Sequence, residues 1–227
     1  MMNIITALKS ATATWVLAAL NAVLFIVSLS GADSSMLSLS ASPSIDLSQP
    51  WRMVSYMFLQ AYPLHALFNM SALIMAGAWY ESRHRGYSIV LVYITAGLAG
   101  AMAFIATGAI AGSESSLSGC SASVMGIAAC TLSDRRHPMR YRYTILTAAL
   151  IIASTGIAGP NPGGSLAHVA GILAGTAIGL SLKPDTGATT KCPKDPIVTK
   201  AEQSGFMSLN ASERATLFSK KNAINDA

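Results

Sequence analysis

Residues 86–113, GYSIVLVYITAGLAGAMAFIATGAIAGS, contain no charged side chain. A helix that crosses a bilayer needs about 20 predominantly apolar residues, so this run is long enough to span a membrane. Four further runs without Lys, Arg, Asp or Glu reach or approach that length: 10–32, 53–80, 115–133 and 144–182. The segment GPNPGG at 159–164 is expected to interrupt a helix and divides the last run, which brings the predicted spans to six.

The composition excludes an ordinary soluble enzyme. Charged residues make up 11% of the 227 residues, whereas a soluble domain carries about 25%. Hydrophobic residues make up 52%, and the mean hydropathy is +0.48. The sequence therefore predicts an all-α membrane protein, a polytopic bundle of six transmembrane helices near 12–29, 64–80, 88–110, 119–133, 143–158 and 165–182.

The basic residues predict the orientation of this bundle. Of the 15 Lys and Arg residues, 14 fall in segments on one side of the predicted spans, and Arg52 is the exception. The positive-inside rule then places both termini in the cytoplasm.

The net charge of +5 is scattered over loops without interleaved aromatic residues, so no nucleic-acid partner is expected. Sparse charge and the lack of a transit-peptide pattern favour the inner membrane of a bacterium.

Two parts of the chain are distinguished by composition. Residues 1–183 form the predicted membrane domain, and 184–227 form a polar cytoplasmic tail in which 206–221 could be a short amphipathic helix.

A second interpretation of the N-terminus stays open. Lys9 followed by the apolar residues 15–28 is also typical of a cleavable secretory signal, and its removal would leave five spans.

Polar side chains inside predicted spans are costly in lipid and indicate function. Four of them lie near the starts of spans 2, 4 and 6: His65, Asn69, Ser121 and His168. With the N-terminus inside, these three spans run in the same direction. At 1.5 Å per residue, each polar side chain then lies within about 10 Å of the outer end of its helix.

Spans 4 and 6 have the small residues that allow close packing in lipid. Glycines recur at every fourth position of 171–179, and Ala122, Gly126 and Cys130 share that spacing on span 4. Small residues at this interval let two helix backbones approach each other. We expect such packing to bring a serine within reach of a histidine base.

In these residues the sequence resembles the rhomboid intramembrane serine proteases. HALFN at 65–69 is similar to the family motif His-x-x-x-Asn, and Trp-Arg at 51–52 precedes it as in many members. GCSA at 119–122 is similar to Gly-x-Ser-Gly, with alanine in place of the last glycine. AHVAGILAG at 167–175 is similar to Ala-His-x-x-Gly-x-x-x-Gly.

The resemblance implies a serine endopeptidase that cleaves membrane-anchored proteins in or near their transmembrane segments. It assigns the nucleophile to Ser121 and the general base to His168. The side chains of His65 and Asn69, with the backbone N–H of Ser121, would stabilise the oxyanion. No cofactor and no metal are implied. The expected partners are a transmembrane protein substrate and the lipid bilayer, and the oligomeric state is not indicated.

Three alternatives stay open. Cys120 is a rival nucleophile, although it projects about 100° away from Ser121 on a helix, so only one of the two can face the base. A small transporter or channel could use His65 and His168 as a proton relay. An inactive rhomboid-like binding protein would share the fold. A zinc protease of the His-Glu-x-x-His type is excluded, because that motif is absent.

Overall fold

A computed structural model of the protein describes residues 4–31, 33–42, 48–112, 115–134, 145, 162–182, 197 and 208–216. By its internal contacts the chain divides into two compact units, Met1–Pro184 and Asp185–Ala227. The described part of the first unit contains helices α1 (Ile4–Ser10), α2 (Thr12–Leu29), α3 (Arg52–Ser55), α4 (Pro63–Glu81), α5 (Gly86–Ala111), α6 (Ser121–Ser133) and α7 (Pro162–Ser181). A 3₁₀ turn, Tyr56–Phe58, follows α3, and two short strands, β1 (Leu39–Ser40) and β2 (Ser116–Leu117), pair antiparallel. In the second unit, 211–216 is helical.

Three of these helices, α2, α5 and α7, are long and apolar enough to cross a membrane. Helix α4 has 19 residues, but its polar side chains lower its hydropathy. Helix α6 is apolar and shorter, with 13 residues. The count of six spans and the cytoplasmic termini stay predictions, because the predicted span 143–158 lies outside the described residues apart from Ile145. Of the predicted tail helix 206–221, the structure describes 208–216.

The starts of α4, α5, α6 and α7 differ from the sequence-based boundaries by one to three residues. Helix α7 begins at Pro162, within the segment 159–164 that the sequence predicts as an interruption, and residues 146–161 lie outside the described residues. Proline is tolerated at the first helical position, where its missing N–H would have no partner within the helix. Helix α6 begins at Ser121 and not at Gly119, whose φ of +144° is not helical.

Helix α2 is held in the bundle by a carboxylate from the far end of α4. The Glu81 side chain accepts hydrogen bonds from the backbone N–H groups of Ala13 (3.2 Å) and Thr14 (2.6 Å) and from the Thr14 hydroxyl (2.6 Å). These N–H groups belong to the first turn of α2, where no intrahelical acceptor exists and the helix dipole favours a negative charge. These bonds join the start of α2 to the end of α4.

A buried arginine orders the loop between α2 and α3. The Arg52 side chain is 7% exposed, and its guanidinium donates to the carbonyl oxygens of Ser35 and Ser38 at 2.8 Å each and to Gln49 Oε1 at 2.7 Å. A planar group with five donors satisfies several acceptors at once without a counter-charge. The one basic residue predicted on the outer side is therefore part of the folded loop.

Helices α6 and α7 approach through their backbones. The Cα atoms of Gly171, Gly175 and Gly179 face the carbonyl oxygens of Ala122, Gly126 and Cys130, and a Cβ at any of these glycines would overlap with the facing oxygen. The predicted close packing of spans 4 and 6 is confirmed. Helix α5 packs against both helices, and the Cβ of its Ala96 faces Gly126.

This packing predicts opposite effects of alanine at two glycines of α7. Gly171→Ala should lower stability, because the new Cβ would overlap with the Ala122 carbonyl group and overpacking costs about 1–3 kcal/mol. Gly164→Ala is the matched control: its Cβ would meet only Leu117 Cδ1 at 3.8 Å, and alanine is the better helix former. Thermal unfolding of both variants in one detergent measures the difference. Equal unfolding temperatures would contradict the close approach.

Candidate active site

Ser121 and His168 meet where α6 and α7 cross. Ser121 is the first residue of α6 and His168 lies in the second turn of α7. The distance between Ser121 Oγ and His168 Nε2 is 2.7 Å, a short hydrogen bond. The serine is 6% exposed, and the histidine is half-buried. A hydroxyl in this contact can pass its proton to the imidazole as it attacks an electrophile.

The glycine contacts of α7 fix the position of this pair. Gly171 lies three residues after His168, and Ala122 directly follows Ser121. The contact between the Gly171 backbone and the Ala122 carbonyl group therefore lies within one turn of both reactive side chains. Because that contact allows no Cβ between the helices, it sets the separation of the hydroxyl and the imidazole.

His65 lies against the loop that leads into α6. A Cβ at Gly119 would come 2.6 Å from His65 Cε1, and the φ of +144° is one that L residues rarely adopt. Gly119 is thus required both by its backbone conformation and by the histidine ring. This contact places His65 beside the segment that ends at the serine. The Tyr62 ring packs against the His65 ring, and the two centroids are 5.3 Å apart.

Asn69 lies one turn after His65 and is fully buried. Its Nδ2 is 3.1 Å from His65 Nε2 and donates to Gln60 Oε1 at 2.8 Å. Because an amide nitrogen only donates, His65 Nε2 is the acceptor and the neutral ring carries its proton on Nδ1. Within the described residues, His65 Nδ1 and Asn69 Oδ1 are buried atoms without a hydrogen-bond partner.

Sequence reasoning missed Gln60, which contacts residues from three parts of the fold. Its Nε2 donates to Asn21 Oδ1 on α2 at 3.0 Å and to Cys120 Sγ at 3.2 Å, and its Oε1 accepts from Asn69. Gln60 is 6% exposed. A signal was present, because a primary amide within the charge-free run 53–80 is costly in lipid unless it is paired. Its partners could not be read from the sequence.

The two candidate nucleophiles have different surroundings. The Cys120 thiol is fully buried and accepts the N–H of Gln60, whereas the Ser121 hydroxyl is bonded to His168. Cys120 directly precedes α6, so the offset expected for two adjacent helix residues does not apply, but the two side chains do contact different partners. The geometry favours Ser121.

No metal site is formed among the residues that the structure describes: they contain no group of three His, Cys, Asp or Glu side chains placed to hold an ion.

Comparison with known proteins gives one result at the family level. No curated protein matches the chain. Residues 47–184 match the Rhomboid domain, which is more than half of the chain and includes His65, Asn69, Ser121 and His168. This match and the apolar helices together identify an integral membrane protein. The chain therefore belongs to the rhomboid family.

Proposed function

We propose that this protein is an intramembrane serine endopeptidase that cleaves membrane-anchored proteins in or near their transmembrane segments. The hydrogen bond of 2.7 Å between Ser121 Oγ and His168 Nε2, within a domain of the rhomboid family, carries the proposal. Proteolysis within the membrane is the general activity of that family. A multi-pass position in the bacterial inner membrane, with both termini in the cytoplasm, belongs to the same proposal.

The reaction proceeds in two steps. Ser121 Oγ attacks the carbonyl carbon of the scissile peptide while His168 Nε2 takes the hydroxyl proton. The resulting imidazolium returns that proton to the leaving amine, which departs and leaves an ester on Ser121. Water then attacks the ester while His168 takes its proton and gives it to Ser121 Oγ as the ester bond breaks, so that the carboxyl product leaves and the free hydroxyl is restored.

Three donors are available to the oxyanion. The backbone N–H of Ser121 belongs to the first turn of α6, where N–H groups have no intrahelical acceptor and the helix dipole favours negative charge. His65 contributes its unpartnered Nδ1–H, and Asn69 contributes the N–H that now points to the His65 ring. Donors fixed in a site with little water stabilise a transition state by a few kcal/mol each.

The length of α6 restricts the substrate. Its 13 residues span about 20 Å, whereas the hydrocarbon core is about 30 Å thick. A serine at the first residue of α6 therefore lies below the membrane surface when the other end of the helix reaches the opposite surface. A peptide bond at that depth is accessible only if the substrate helix unwinds locally, because helical backbone groups are already paired. Substrates with helix-weakening residues near the cut are favoured.

Replacement of the nucleophile tests the proposal directly. Ser121→Ala should abolish cleavage of a model transmembrane substrate and reaction with a fluorophosphonate, because it removes only the attacking oxygen. Cys120→Ala should retain both, because its thiol is bonded to Gln60 and not to the base. Cleavage of a substrate reconstituted in liposomes, with thermal unfolding as the check on folding, measures the effect.

Two results would count against this assignment. Activity in Ser121→Ala together with its loss in folded Cys120→Ala would move the nucleophile to the cysteine. A folded wild-type protein that neither cleaves nor reacts with the fluorophosphonate would favour the transporter or the inactive rhomboid-like protein.

Alanine at His65 or Asn69 should lower kcat with little change in KM, the pattern of interactions made mainly in the transition state. The loss of one oxyanion donor costs about 10²–10³ in rate. His168→Ala should be more severe, because it removes the base that contacts Ser121. Steady-state cleavage of one substrate by all three variants gives the comparison. An unchanged kcat in both α4 variants would leave His65 and Asn69 with a purely structural role.

A further inference from the structure

A chain of buried polar side chains runs from α2 and α5 to the proposed oxyanion site. It connects, in order, Tyr93, Asn21, Gln60, Asn69 and His65. The first four are each 6% exposed or less. Polar groups buried in this way must be paired, so the direction of each hydrogen bond is constrained by its neighbours.

At the end of this series that is farther from the active site, two backbone carbonyl oxygens fix which atoms donate and which accept. Asn21 Nδ2 donates to the carbonyl oxygen of Leu17 at 2.9 Å, and Tyr93 Oη donates to that of Met57 at 2.6 Å. A carbonyl oxygen only accepts, so the Asn21 amide nitrogen must face Leu17 and the tyrosine hydroxyl. The tyrosine oxygen in turn accepts from Asn21 Nδ2 at 3.1 Å. Asn21 Oδ1 is therefore the atom that faces Gln60.

The orientation of the Asn21 amide in turn fixes the orientation of the Gln60 amide and then that of Asn69. Because Asn21 presents an oxygen, Gln60 must present its Nε2, which leaves its Oε1 towards Asn69. Asn69 must then present its NH₂ group, since a flipped amide would place two acceptor oxygens in contact at the observed separation of 2.8 Å. One N–H of Asn69 is used by Gln60, and the other is directed towards His65 Nε2 at 3.1 Å.

We infer that Gln60 is a positioning residue that sets the amide orientation of Asn69, so that one N–H of Asn69 is held at the active site. The inference rests on the proposed function, in which the N–H that is now directed towards His65 Nε2 turns to the developing oxyanion. Gln60 also donates to Cys120, the neighbour of Ser121. The same amide thus links the side-chain donor on α4 to the residue that directly precedes the serine.

The role requires a donor and an acceptor on one side chain. Methionine is close to glutamine in size and offers neither at these positions, whereas glutamate keeps an acceptor oxygen for Asn69. Gln60→Met should therefore release the orientation of Asn69, and Gln60→Glu should preserve more of it.

A double-mutant cycle tests this role with the full-length protein in liposomes. Wild type, Gln60→Met, Asn69→Ala and the double variant are compared for kcat and KM on one transmembrane substrate. Gln60→Met should lower kcat about ten-fold or more, up to the loss caused by Asn69→Ala, with KM changed by less than about two-fold. In the Asn69→Ala background, Gln60→Met should have no further effect on kcat, because the group that it positions is gone.

Glu81→Gln provides the control for a general loss of stability. Its side chain binds the start of α2 through Ala13 and Thr14, and it should lower the unfolding temperature without changing kcat. If Glu81→Gln lowers kcat as much as Gln60→Met does at a similar loss of unfolding temperature, the effect of Gln60→Met is one of stability and the positioning role is overturned. Multiplicative losses of kcat in the double variant would overturn it as well.

The remaining outcomes are also decisive. Should Gln60→Met fail to fold, Gln60→Glu is measured instead: a higher kcat than Asn69→Ala supports the role, and an equal or lower kcat overturns it. Absence of Ser121-dependent cleavage in the wild-type protein overturns the proposed function and, with it, this inference. If the wild-type protein is active but the losses of kcat in Gln60→Met and Asn69→Ala multiply in the double variant, the inference is overturned and the proposed function is not.

Discussion

The backbone contact between α6 and α7 is the constraint on which the proposed site depends. Lipid tails are as apolar as the side chains they surround, so apolar surface alone does not drive helices together in a membrane. Close packing of small residues supplies the attraction instead, and Gly171 provides it against the carbonyl group of Ala122. The neighbouring residues Ser121 and His168 meet at 2.7 Å because those two backbones touch.

A second constraint is the satisfaction of polar groups where water is scarce. The loop before α3 is ordered by Arg52, whose guanidinium supplies donors to backbone carbonyl groups. The start of α2 is closed by the Glu81 carboxylate. Near the active site the same requirement produces the amide chain through Gln60. Glu81 and Gln60 bond to residues 67 and 39 positions away, so these bonds also fix how the elements are joined.

Some features of the site could be predicted and others could not. Ser121, His168, His65 and Asn69 stand out as polar residues in charge-free runs, and their motifs resemble one family. Gln60 shares the first property, but its partners Asn21 and Cys120 lie 39 and 60 residues away. Nothing in the local pattern identifies such partners.

The sequence by itself determined the class of protein, the close packing of spans 4 and 6 and the residues of the proposed dyad. Charge-free length and glycine spacing are properties of a single helix, and they can be counted along the chain. The tertiary structure decided the role of Glu81 at α2 and the direction of the amide chain at Asn69. These depend on which atoms meet across helices, because a buried donor or acceptor takes whichever partner the packing places within about 3 Å.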